Sequence, residues 1–240
     1  MPQPPVDISA HPTSSVPTIA PGRLAIAGAI TWGLGILCSW FAARGKPFQR
    51  DAPVALWVQA HLHAVPIAKA LDLFGNYAVT GLLALIVGVL LLLKREWASA
   101  LTVAALLFVR PINLLHKDFV TRPRPDPSIV AVFEQESGYG YPSGHTFGSM
   151  LISVTLAGVM PRLISHPRGC RIAQVLLIGF GIAVGWSRVS LGAHWPSDVL
   201  GAWLWGAGLG MLLVAAGRAL DTGWHRAANT ESGAEAPLSS

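Results

Sequence analysis

Residues 24–43 run for twenty positions without a charge. At about 1.5 Å per residue, a helix of that length crosses roughly 30 Å of hydrocarbon. Five further apolar runs follow. Residues 73–93 lie between Asp72 and the pair Lys94-Arg95, and residues 97–116 are interrupted by Arg110-Pro111. Residues 143–161, residues 172–187 between Arg171 and Arg188, and residues 196–217 complete the set. These runs predict an all-α integral membrane protein with six transmembrane helices. Only 12% of the chain is charged, about half the share of a soluble domain, which argues against an apolar soluble helical protein. No internal repeat supports a duplicated transporter architecture.

Six spans put both termini on one side. Lys94, Arg95, Arg162, Arg168 and Arg171 fall in loops on that side, with Arg23, Arg218 and Arg226 at the ends. By the positive-inside rule this face is cytoplasmic, once Lys117, Arg122, Arg124 and Arg188 are set aside as motif residues. Between the first two spans, residues 53–71 are moderately apolar and predict one or two short helices on the outer interface. Residues 1–22 hold six prolines and many Ser and Thr, and are expected to be a disordered tail. They lack the basic start of a signal peptide. Residues 220–240 are polar and are expected to form a second disordered tail, leaving 23–219 as the six-span domain.

Several residues carry less. Cys38 lies in an apolar run and Cys170 in a basic loop, so no disulfide is expected, and bulky Leu37 does not suit a lipoprotein site at Cys38. The net charge of +5 is scattered, with no basic run for nucleic acid. His61 and His63 lack Cys or carboxylate partners at ligand spacing and are expected to be interfacial side chains. Trp40, Trp186 and Trp195 are expected to anchor the outer boundary and Trp97 the inner one. Gly181, Gly185, Gly201, Gly206, Gly208 and Gly210 are expected to permit close helix packing.

The chemistry sits in three stretches: residues 117–125 (KDFVTRPRP), 142–145 (PSGH) and 187–198 (SRVSLGAHWPSD). In the six-span threading all three reach the outer face. Pro142-Ser143-Gly144-His145 suits a helix start, with Pro early, unpaired N–H groups and the positive dipole end favouring an anion. Gly144 lets the backbone approach an oxyanion, and Ser143 adds a hydroxyl donor. Lys117, Arg124 and Arg188 are cations beside the bilayer. Asp118, Asp126, Glu134, Glu136 and Asp198 are the few carboxylates near them, and a bound phosphate would satisfy the cations. His194 and Asp198 are four apart, a spacing that brings the carboxylate to one imidazole nitrogen and leaves the other to attack. His145 is then the candidate general acid. The absence of a carboxylate cluster argues against a metal-dependent reaction.

Lys117-x6-Arg124-Pro125, then Pro142-Ser143-Gly144-His145, then Ser187-Arg188-x5-His194-x3-Asp198 resembles the type 2 phosphatidic acid phosphatase superfamily, the membrane lipid phosphate phosphatases. The likeness covers roughly residues 24–217. It implies a metal-independent, cofactor-free phosphatase or diphosphatase acting on a lipid phosphate. His194 would form a phosphohistidine, Asp198 would orient it, and His145 would protonate the leaving group. Lys117, Arg124, Ser143, Gly144 and Arg188 would bind the phosphate. Family members of this layout act on undecaprenyl diphosphate, phosphatidylglycerophosphate, phosphatidate or lipid A phosphates, and the first is favoured here. A bacterial inner membrane, with the site facing outward, is the expected location. A lipid phosphotransferase and a non-catalytic lipid or anion transporter are the alternatives.

Two further features remain open on sequence. Arg110 lies two helical turns before Lys117 and either helps hold the inner phosphate of a diphosphate lipid or snorkels around the Pro111 kink. The loop 126–141 carries an apolar patch, residues 129–133, which either dips into the interface to gate lipid access or simply covers the span ends.

Overall fold

The computed structural model describes residues 16–46, 48–109 and 111–234, so Arg110 lies outside the described residues. Regular structure among them is helical throughout: α1 (Pro21–Ala42), α2 (Asp51–His61), α3 (Val65–Gly75), α4 (Tyr77–Leu93), α5 (Trp97–Val109), α6 (Ile112–Val120), α7 (Gly144–Leu163), α8 (Pro167–Ser190) and α9 (Pro196–Ala234). Five helical runs are long and apolar enough to cross a membrane: α1, α5 with α6 over Trp97–Val120, α7, α8, and α9 over Pro196–Trp224. The pair α3 and α4, bent by 54°, makes a sixth. With that broken span counted, the six-span, all-α expectation holds; α2 is a short helix after the first span as expected, whereas α3, expected at the interface, belongs to the second span.

Local chemistry moves several boundaries. The apolar run at 73–93 hides a break, because residues up to Gly75 end α3 and Asn76 is extended at φ −66° and ψ 165°. The Asn76 side chain accepts the Val79 N–H at 3.0 Å and starts α4, as an N-cap does. Cys170, expected in a loop, lies buried inside α8, because Pro167 opens that helix early and the His166 ring accepts the Gly169 N–H. Both cysteines are free. α9 continues past residue 217, the expected end of the sixth span, to Ala234. The polar stretch from 220 to 234 extends the helix, and no proline interrupts it before Pro237.

The bundle is organised around α7, which is buried on all sides against α4, α5, α8 and α9. Two of its hydroxyls are satisfied within the helix: Ser149 and Thr155 donate to the carbonyls of His145 and Leu151, one turn back. α1 packs along α9 at glycine contacts, and a side chain at Gly208 would meet the Trp32 backbone at 2.6 Å. Small residues permit this approach where lipid offers no hydrophobic drive between helices. The outer surface is apolar: Phe119 is 89% exposed and Phe108 81%, which suits acyl chains and not water.

Trp195 departs from the interface-anchor expectation. It is 1% exposed and packs with Ala55, Val130, Val189 and Val199. The reason is that α2 and the loop 126–141 cover the outer end of α8 and α9. Trp40 and Trp97 are exposed, as anchors would be.

Candidate active site

The third motif is shaped by the turn between α8 and α9. Gly192 has φ +70°, and a Cβ there would lie 2.1 Å from the Ala131 carbonyl oxygen, so the turn and the close loop both require glycine. Ala193 and His194 donate their N–H groups to the Arg188 carbonyl at 3.1 and 3.3 Å. His194 is thus hung from the carbonyl of Arg188, another residue of the same motif. Ser143, the N-cap residue of α7, donates its N–H to the Asp198 carbonyl at 3.3 Å, which joins the second motif to the third.

Behind His194 lies a buried charge network. Arg122 is fully buried and donates to Asp198 Oδ1 at 2.7 Å, Ser197 Oγ at 2.8 Å and Asp51 Oδ2 at 2.6 Å. Asp51, from α2, also accepts the Ser197 N–H at 2.9 Å and hydroxyl at 2.7 Å. It therefore satisfies a donor that the start of α9 would otherwise leave unpaired. Asp198 Oδ2 accepts the Trp195 N–H at 3.0 Å. One oxygen of the Asp198 carboxylate is thus held by Arg122 and the other by the Trp195 N–H before it meets His194.

His194 Nδ1 stands 3.6 Å from Asp198 Oδ2 and has no hydrogen-bond partner. The expected approach of carboxylate to imidazole is present, at a distance longer than a hydrogen bond. On the other side, Nε2 is 3.1 Å from Arg124 Nη1. A guanidinium only donates, so this contact leaves the lone pair on Nε2 and the proton on Nδ1, facing Asp198.

Arg124 also donates to the carbonyls of Ala193, Gly138 and Ser137. Its other neighbour is Glu136, with Arg124 Nη2 at 2.8 Å from Oε2. Arg188, fully buried at the end of α8, is paired with Asp72, Glu134 and Glu136. His145, in the first turn of α7, has Nδ1 3.7 Å from Glu136 Oε1 and Nε2 3.8 Å from Asp72 Oδ1. Glu136 Oε2 lies 3.6 Å from His194 Nε2. One carboxylate is thus surrounded by two guanidiniums and two imidazoles. Lys117, on α6, lies within electrostatic range of Arg124, Arg188, Glu136 and Asp198.

Burial alone would raise the Glu136 pKa. Charge from the Arg188 and Arg124 guanidiniums, and from His194 in its protonated form, outweighs it and holds the carboxyl well below the usual carboxylate range. Burial, then the like charge of Arg188, pushes the Arg124 guanidinium down from its ordinary value, and Glu136 opposes that.

The structure therefore gathers Arg124, His145, Arg188, His194 and Asp198, with Ser143 and Gly144 at the α7 start and Lys117 nearby. The expectation that carboxylates near the cations are too few needs correction. Arg188 meets three and Arg124 one. Asp51, Asp72 and Ser197 escaped sequence reasoning, and Arg122 was noted only as a motif cation. Their one visible signal was a charge or hydroxyl flanking apolar runs. His61 contacts the Trp57 carbonyl and His63 the Ser190 hydroxyl, consistent with ordinary interfacial side chains. The loop 126–141 covers the span ends: Gln59 clamps both backbone groups of Ala131, at 2.7 and 3.1 Å, and Val130 is buried.

A sequence model of the PAP2 superfamily matches residues 95–220. The chain is 27% identical over 150 residues to an undecaprenyl-diphosphatase of Sulfolobus acidocaldarius, covering 62% of this chain and 61% of the relative. It is 31% identical over 124 residues to phosphatidylglycerophosphatase B of Bacillus subtilis, covering 50% of this chain and 56% of that one. These alignments thus span less than two thirds of either relative. A decaprenylphosphoryl-5-phosphoribose phosphatase of Mycobacterium tuberculosis is 30% identical, over 62% of this chain and 78% of its own. In fold, the chain is similar to the crystal structure of a transmembrane PAP2-type phosphatidylglycerolphosphate phosphatase from Bacillus subtilis. The TM-score is 0.63 at 22% identity, with 84% of this chain and 96% of that chain covered. With its three motifs converging at one end of a helical bundle and more than half its length matched, the chain belongs to the PAP2 superfamily.

Proposed function

We propose that this chain is a metal-independent membrane phosphatase or diphosphatase acting on a lipid phosphate, with undecaprenyl diphosphate the favoured substrate. One observation carries the reading. His194 turns Nε2, bearing its lone pair, toward a cradle of two arginines, with Nδ1 toward a fixed carboxylate. Glu136 marks the position in that cradle where an anion is held. The Sulfolobus acidocaldarius relative is named an undecaprenyl-diphosphatase, which supports the choice of substrate.

The reaction runs in two steps. The substrate phosphate displaces Glu136 and takes bidentate contacts from Arg124 and Arg188, with Lys117 and the α7 N-terminus adding charge. His194 Nε2 attacks phosphorus, the bond to the leaving oxygen breaks (the bridging oxygen of a diphosphate, the lipid oxygen of a monoester), and His145 gives that oxygen a proton. Asp198 stabilises the positive imidazole and keeps its proton on Nδ1. In the second step His145 takes a proton from water as the water attacks phosphorus. The P–N bond breaks, its electrons return to Nε2, and orthophosphate leaves. Charge that a metal would supply comes from the cations of the cradle.

The site faces the outer side of a bacterial inner membrane and both termini face the cytoplasm, as the distribution of loop Lys and Arg supports. The test is orthophosphate release by the purified chain in detergent, with EDTA, across undecaprenyl diphosphate, phosphatidate, phosphatidylglycerophosphate and lipid A. Release from the prenyl diphosphate, its loss in His194→Ala, and an acid-labile, alkali-stable phosphoenzyme support the reading. Activity abolished by EDTA overturns the metal-free mechanism. Transfer of phosphate to another lipid in place of water makes the protein a phosphotransferase.

A further inference from the structure

Asn113 is 2% exposed, and neither its amide nitrogen nor its amide oxygen has a hydrogen-bond partner among the described residues. A buried amide left unpaired is costly, and such groups in a folded chain ask for an explanation. The location supplies one. A Cβ built on Gly144 would stand 3.1 Å from Asn113 Nδ2 and 3.8 Å from the Tyr77 hydroxyl. Asn113 therefore borders the first residue of α7, next to His145 and beside the helix end that favours anions. A side chain at residue 144 would press on the Asn113 amide.

The register of α6 places Asn113 relative to the cradle. It lies four residues before Lys117, so the two share a helix face and Asn113 sits about 6 Å deeper along the axis. The amide, against Gly144 and one turn from Lys117, is the floor assigned here to the site of Arg124, Arg188, His145 and His194. A lipid substrate must leave that cradle toward the membrane. The atoms next to the scissile bond on the tail side pass over this floor. In a monophosphate those atoms are the ester oxygen and carbon. In a diphosphate they are a second phosphoryl group with charged oxygens, which an amide with two N–H donors suits.

The geometry points to Asn113 as a substrate-contacting residue that donates through Nδ2 to the inner phosphoryl group of a lipid diphosphate, and so favours diphosphates over monophosphates. This rests on the reading of the chain as a lipid phosphatase with His194 as nucleophile. The inner phosphoryl leaves with the lipid after the first step, so the contact acts on binding and on the departing group, with no bond made to Asn113.

The experiment compares kcat/KM of the full chain in detergent on a prenyl diphosphate and on the monophosphate of the same tail, for wild type, Asn113→Leu and Asn113→Ser. Loss of one hydrogen bond to a charged oxygen costs roughly tenfold to a hundredfold in kcat/KM on the diphosphate. The loss on the monophosphate is expected to be at least tenfold smaller. Thermal unfolding of the unliganded chain is read alongside. Leucine is close in volume and removes an unpaired polar group, so its midpoint is expected to hold or rise. Equal losses on both substrates, or none on either, overturn the assignment, as does a sharp fall of midpoint in both variants. Should Asn113→Leu not accumulate, Asn113→Ser carries the same comparison. A wild-type chain that releases phosphate from neither substrate overturns the phosphatase reading itself, and this inference with it.

Discussion

Arg122 and Asp51 meet at 2.6 Å with neither side chain open to solvent. Asp51 comes from a short helix between the first two spans and Arg122 from the loop after the third. Through the other end of its guanidinium, Arg122 fixes Asp198. The orientation of the residue behind His194 is therefore set by a carboxylate that touches no substrate. Removing one partner of a buried ion pair leaves the other charge uncompensated.

For Asp51→Ala the expected result is a loss of about 3–5 kcal/mol in stability, together with a fall in kcat larger than the change in KM. Arg122→Lys is expected to behave similarly, since an ammonium cannot bridge two carboxylates as a planar fork does. Thermal unfolding in detergent and steady-state kinetics check both. Wild-type stability in either variant would show that the pair is dispensable.

Glu136 occupies the arginine cradle that the proposed reaction assigns to phosphate. Glu136→Gln removes the competing charge and is expected to strengthen inhibition by orthophosphate or vanadate by roughly tenfold, read as a lower inhibition constant. The pH dependence follows from the direction of the Glu136 shift. Its folded pKa lies below the ordinary carboxylate value of about 4.3. The stabilisation its ion pairs contribute is then fully present above that ordinary value, and is lost only as pH falls through the depressed one. Between about pH 5 and 8 Glu136 stays ionised, so no inflection of the activity profile in that range is expected to come from its own titration. An inflection in that range that disappears in Glu136→Gln would contradict this.

Gln59 holds the loop 126–141 through paired bonds to both backbone groups of Ala131. Gln59→Leu is expected to loosen the loop without changing the helices. Amide hydrogen exchange over residues 128–136 should accelerate by about tenfold or more, while exchange within α7 is unchanged. A loop that exchanges at the wild-type rate would mean that Val130 and the Phe133 N–H bond to Leu191 suffice to hold it.

Gly192→Ala introduces a methyl group at φ +70° and against the Ala131 carbonyl. The left-handed backbone alone costs about 1–2 kcal/mol, and the clash forces the turn or the loop to shift. Because His194 hangs from the Arg188 carbonyl through this turn, kcat is expected to fall at least tenfold. An unchanged kcat would show that the turn does not position His194.

These residues also explain what was legible from the amino-acid order. Charge-free runs dictated six spans because lipid leaves a chain few other options. Arg124, His145, Arg188, His194 and Asp198 stood out because polar groups at span ends carry a cost that calls for a reason. Asp51 and Asp72 did not stand out. Each is a single carboxylate whose partner lies on another element, and such a pairing leaves no periodicity to read. The break at Asn76 was hidden for a related reason, since the residues on either side are equally apolar and only the cap distinguishes one helix from two. Trp195 misled because aromatic side chains near a boundary anchor in lipid only when nothing covers them, and here α2 and the loop 126–141 do.

The Asp51 contact bears on how this protein can be cut and recombined. Asp51 and Asp72 both precede residue 95, where the match to the superfamily begins. A chimera joining the matched segment to the front half of another relative would keep every motif residue. It would nonetheless leave Arg122 and Arg188 facing whatever that front half supplies in place of Asp51 and Asp72. The catalytic end is therefore not a portable module, and the front helices must travel with it.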